Sequence, residues 1–140
     1  MALKLSVTVR DAQNNVIETT ISTAPKLQLW SGTPPANCAA ADAADGDMLC
    51  EMALPSDWLG ASSSGAKAKA GTWSGTGAAA AGAGTDVTHF RIKDTAGTTC
   101  HVQGTVTATG GGGDMTLDNV SVATDQAITV NSFALTAGNA

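Results

Sequence analysis

The stretch GGGGDMTLDN, residues 110–119, admits two readings that lead to different proteins. Consecutive glycines before an acidic residue can wrap a phosphate, or they can let one β-strand turn back on another. A phosphate loop needs its glycines between a strand and a helix, so that backbone N–H groups and the helix N-terminus meet the anion. A strand-like segment precedes this run, but residues 115–122 alternate as a strand does: Met115 and Leu117, then Val120 and Val122. No Lys-Ser/Thr pair completes a Walker sequence, and no Gly-x-Gly-x-x-Gly precedes a helix. The run therefore reads as a flexible hairpin connection.

Working outward, period-2 alternation dominates. Leu3, Leu5, Val7 and Val9 share one face of a first strand. RDAQNNVIETTI (10–21) shifts to helical spacing, where Val9, Ala12, Val16 and Ile17 fall with Thr20 and Ile21, and Pro25 closes it. KLQLW (26–30) points Leu27 and Leu29 inward, and DMLCEMAL (47–54) puts Met48, Cys50, Met52 and Leu54 on one face. Two prolines and an Asp-Gly mark the segment between them as loop. AKAKAGTW (66–73) carries Lys67 and Lys69 on an exposed face, as edge strands do. SGTGAAAAGAGTD (74–86) reads as a mobile low-complexity loop. VTHFRIKD and TTCHVQGTVTA form a hairpin, the first turning Phe90 and Ile92 inward. The alternation slips phase at Asp118-Asn119 and again before Phe133 and Leu135, which predicts β-bulges. Seven to eight strands at about 8–12-residue spacing, after one short N-terminal helix, predict an all-β, jelly-roll-like antiparallel sandwich filling a single domain, 1–140.

Composition narrows the function. Of the 140 residues 26 are Ala and only 31 are Val, Ile, Leu, Met, Phe or Trp, so a monomer has a thin core and gains from subunit contacts. Charged residues make up 14% and the net charge is −5, which excludes the clustered Lys and Arg of a nucleic-acid surface. No stretch reaches the roughly 18 apolar residues of a membrane helix, and the N-terminus does not read as a secretory leader. The expectation is a product of the cytoplasm, where three cysteines stay thiols rather than form a framework; Cys38–Cys50 is the one pairing considered.

Catalytic and metal readings fail on spacing. In DAADGD, aligning Gly46 with the glycine of a calcium loop leaves Ala41 and Ala43 where acidic ligands belong, so Asp42, Asp45 and Asp47 read as a solvated turn. His89 and His101 lie on neighbouring strands, close enough to approach, and read as an exposed pair. Neither sits in a nucleophile–base–acid set, so the chain reads as non-enzymatic, with no cofactor and no metal. Trp30 and Trp73 each open a Trp-Ser-Gly triplet at a strand end. They read as plugs of the core or, with Trp58, as anchors for a protein or a sugar.

Taken in order, RDAQNNVIETTI, LWSGTPPANCAAAD, LPSDW, AKAGTWSG, HFRIKDTAGTTCHVQGTV and GGDMTLDNVSVATDQAITVNSFALT resemble a family of small virion structural proteins of tailed bacteriophages, over nearly the whole chain. The resemblance implies capsid decoration (cement), or a neck or tail component. It also implies a virion location after synthesis in the bacterial host, and the major capsid protein as partner. The residues add self-association as a dimer or trimer, without nucleic acid or membrane. The interface candidates are Leu3, Leu5, Val7, Val16, Ile17, Ile21, Trp30 and Trp73. The alternative is a carbohydrate- or receptor-binding module using exposed tryptophans. If residues 1–21 serve only the interface, their removal leaves a folded β-domain.

Overall fold

The computed structural model describes residue 1 and residues 3–138; the C-terminal Asn139-Ala140, expected to be flexible, lie outside the described residues. The chain is mostly β with one short helix. Helix α1 spans Val7–Ile21, and the strands are β1 (Lys26–Trp30), β2 (Met48–Ala53), β3 (Ala66–Ala68), β4 (Ser74–Thr76), β5 (Thr85–Asp86), β6 (His89–Lys93), β7 (Cys100–Ala108), β8 (Met115–Leu117), β9 (Ser121–Val122), β10 (Ala127–Thr129) and β11 (Ser132–Thr136). Seven of them form one sheet in the order β2-β1-β6-β7-β8-β11-β3, while β10 pairs with β4 and β5 with β9. Strand β3 is an edge strand, as its lysines suggested.

The glycine run is a turn but not a hairpin. Strand β8 lies parallel to β7, with Val106 opposite Met115 and Ala108 opposite Leu117. Parallel neighbours usually need a crossover of about a dozen residues or more. Here the ladder is so short that residues 109–114 need only double back along the end of β7. Gly111 N–H donates to Ala108 O at 2.9 Å and Gly113 N–H to Thr107 Oγ1 at 3.0 Å. A Cβ on Gly111 or Gly113 would lie 2.7 or 2.9 Å from the Thr107 side chain, so only glycine lets the return lie flat on the strand. Asp114 fixes its far end by accepting from Thr105 N–H and Thr105 Oγ1, both at 2.9 Å. The sheet is therefore mixed, and the purely antiparallel expectation is corrected.

Gly104 in β7 makes the room for this. A Cβ there would stand 2.8 Å from the Phe90 ring and 2.9 Å from the Asp114 Cβ. Gly104→Val is expected to cost about 2 kcal/mol through overpacking, read as a lower urea midpoint with unchanged circular dichroism.

Both phase slips are strand changes rather than bulges. After Leu117 the chain leaves the main sheet, and β9 pairs with β5; after Thr129 it leaves β4, and β11 returns between β8 and β3. The Ala-rich stretch 74–86 is structured. It holds β4, a 3-10 turn at Ala79–Ala81 and β5, and Ala81 is fully buried. The expected first strand is absent: the backbone turns helical at Val7, where the Ser6 hydroxyl accepts from Val9 N–H at 3.3 Å as the N-cap.

The thin-core expectation underestimates the aromatic residues. Trp58 and Trp73 pack with centroids 6.0 Å apart, Trp73 and Phe133 at 5.3 Å, and Phe133 meets Phe90 edge-on at 5.7 Å. Leu27, Leu29, Ile92 and Met115 pack into the same core. The opposite face of β1 and β6 is also buried, under the loop 31–47. There Arg91 Nη1 pairs with Asp42, while Nη2 donates to Cys38 O at 3.0 Å and Ala40 O at 2.9 Å. Lys93 Nζ binds the other Asp42 oxygen at 2.8 Å. Asp42, read as part of a solvated turn, thus pairs with two cations that the sheet buries.

Candidate interface on the N-terminal helix

An ordinary surface helix turns its apolar stripe to the core and its charges to water. Helix α1 follows this only where Ile17 and Ile21 pack on the core. Its charged residues, Arg10, Asp11 and Glu18, all sit on the half-buried side with Asn14. Asp11 Oδ1 accepts from Ser62 Oγ and Gly65 N–H, each at 2.8 Å, and Asn14 Nδ2 donates to Gly65 O at 2.9 Å. Lys67, on β3, pairs with Glu18 and donates to Asn15 Oδ1 at 2.8 Å. Lys67 is therefore buried, not exposed as its alternation suggested: the helix covers the face where it points. Short polar side chains reach the 62–65 loop backbone at this contact, and the chain uses them in place of packing.

The outer side of α1 carries Thr8, Val9, Ala12, Gln13, Val16, Thr19 and Thr20, all exposed and none charged. Val9, Ala12 and Val16 recur at the spacing of one helical stripe. Val16 is 63% exposed and Val9 45%; Val7, at 47%, and Leu3, at 78%, add apolar surface at the N-terminal end. Interface cores are marked by depletion of charge more than by bulk hydrophobicity, and this face combines that depletion with exposed valines.

Of the eight interface candidates, Leu3, Val7 and Val16 are exposed. Leu5 and Ile17 are half-buried and line a shallow groove with Leu135. Ile21 and Trp73 are corrected: they lie in the core, Ile21 at 2% and Trp73 at 0% exposure. Trp30 is half-buried, its indole N–H donating to Gln28 Oε1 at 3.2 Å beneath Lys93. Trp58 is fully buried with its N–H on Ser22 O, so neither it nor Trp73 offers a ring face to a sugar. Sequence reasoning set Val9 and Ala12 at helical spacing but did not count them as interface, because Val9 also fitted the face of a first strand. The usable signal was Ser6, three residues before Val9 and preceding a run of helix-spaced polar residues.

The histidines do not form a pair. His89 lies opposite Thr105, at the far end of β7 from His101. It is buried, with Nδ1 3.0 Å from Thr88 Oγ1, and burial, then the Arg91 charge, hold its pKa below the usual value. Cys38 and Cys50 are likewise apart: Cys50 is fully buried beside Gly75, whereas Cys38 faces Cys100.

Removing residues 1–21 would uncover Lys67 and the 62–65 backbone and would empty the Ile17 and Ile21 sites. The inner half of the helix belongs to the fold, so truncation confounds assembly with unfolding. Among the described residues no helix is long and apolar enough to cross a membrane. No family model, curated protein or solved structure matches the chain.

Proposed function

We propose that this chain is a non-enzymatic structural protein of a tailed-bacteriophage particle. In this reading it is a capsid-decorating cement protein, jelly-roll-like in its layering, that acts as a small homo-oligomer and docks through the outer face of α1. The observation that carries the docking reading is the placement of charge on the helix: Arg10, Asp11 and Glu18 face the body while Val9, Ala12 and Val16 face solvent. Copies with a net charge of −5 repel one another in general, and a charge-free face is where they can meet without desolvating like charges. The resemblance of the sequence to small virion proteins supplies the setting, and the assembly face suits a role in which stability rises with contacts.

Cryo-electron microscopy of the intact particle tests the setting. Density for this chain repeated over the capsid lattice is the expected result. Density confined to the neck or tail would replace the cement role with the other virion role, and absence from the particle would overturn both.

A further inference from the structure

The loop 31–47 and the start of β7 bring two of the three cysteines together. Cys38 and Cys100 are far apart in sequence, yet both line one open cavity of about 350 Å³ beside Asp42, Arg91 and Lys93. Both are partly exposed free thiols, whereas Cys50 is fully buried elsewhere. The loop half of the pair is held in place, because Arg91 Nη2 fixes the Cys38 carbonyl at 3.0 Å and the Ala40 carbonyl at 2.9 Å. Both thiols border the same cavity, and burial, then hydrogen bonding with Cys100 and its charge, pushes the Cys38 thiol up to about 11. One carboxylate faces two cations here, so the cavity keeps a positive charge that favours an anionic reagent.

We propose that Cys38 and Cys100 are a redox-controlled pair that closes into a disulfide by exchange with an acidic low-molecular-weight disulfide, latching loop 31–47 to β7. Cys100 Sγ attacks one sulfur of the reagent, whose S–S bond breaks and releases one thiol carrying the Cys100 proton. Cys38 Sγ then attacks the Cys100 sulfur of the mixed disulfide, forming Sγ–Sγ and releasing the second thiol with the Cys38 proton. Two protein thiols are oxidised and one reagent disulfide is reduced to two thiols. The pair stays open in a reducing compartment and closes on passage to an oxidising one. This inference is independent of the interface on α1.

The test is incubation of the folded full-length chain with oxidised glutathione at neutral pH, then intact-mass measurement and peptide mapping. The expected product is lighter by two hydrogens, links the Cys38 and Cys100 peptides, leaves Cys50 as a thiol, and melts about 10 °C higher. The Cys38→Ser variant should stop at a glutathione adduct on Cys100, and Cys100→Ser should form no internal link. A wild-type product that remains unreacted, carries glutathione without an internal link, or links through Cys50 overturns the proposal.

Discussion

Trp73→Ala is expected to destabilise the fold by about 4 kcal/mol, the largest single loss available in the core. Trp73 is fully buried, touches both Trp58 and Phe133, and donates its indole N–H to Ala70 O at 3.0 Å. Truncation removes the ring at the centre of that cluster and takes the donor away from the Ala70 carbonyl as well. Its neighbours Trp58 and Phe133 are rigid rings that cannot spread into the space, so the cavity term is kept. Urea unfolding monitored by circular dichroism reads the loss directly. A change below about 1 kcal/mol would mean that Trp73 is not central to the core.

Asp42→Ala is expected to cost about 3 kcal/mol, although Asp42 itself sits in a loop and is partly exposed. The loss comes from the cations left behind: Arg91, 2% exposed, and Lys93, 5% exposed, would stay buried without their carboxylate. The loop 31–47 would lose its anchor at the same time.

Asp42 and His89 each contribute to the pH dependence. Burial works to raise the Asp42 pKa, but hydrogen bonds from Lys93 and then Arg91 outweigh it and hold the pKa below 3.8. The folded state therefore binds the Asp42 proton less readily than the unfolded chain, so this contribution is full above pH 3.8 and is lost as pH falls through the lower folded value. His89 is held below 6.5 by burial, so stability also declines as pH falls below 6.5 and the unfolded chain takes up a proton the folded one refuses. Urea midpoints against pH should show two acid losses in the wild type. Asp42→Ala should shrink the lower loss, to which Glu51 and Asp94 also contribute because their carboxyls are held low, and keep the upper.

Much of the sheet was legible in the sequence, and the reason is local. Leu27, Leu29, Phe90 and Ile92 alternate with polar residues, and period 2 alone assigns them to one buried face. The cover of the other face is not local. Gln28, Arg91 and Lys93 look like a solvated side until Asp42, 49 residues from Arg91, arrives over them. Phase slips at 118–119 and near 131 were visible as irregularities. A change of phase does not say which strand becomes the next partner, so bulges were expected where the chain changes sheet. The glycine run shows the same limit: its flexibility marks a turn, but the parallel register depends on Thr107 and Asp114 holding the return. Helix α1 was half legible. Its outward apolar stripe could be read as either helix or strand over so few residues, and its inward polar side contradicts the usual pattern that sequence reading relies on.

That inward polar side leaves the outer face of α1 as the surface on which assembly depends. Sedimentation velocity on the wild type and on the Val9→Asp/Val16→Asp double variant tests this most directly. Both positions are solvent-exposed, so the variant should keep its circular dichroism and stay within about 0.5 kcal/mol of wild-type stability. A dimer or trimer is expected for the wild type and a folded monomer for the variant. Identical sedimentation of the two proteins, whether both assembled or both monomeric, would contradict assembly through this face.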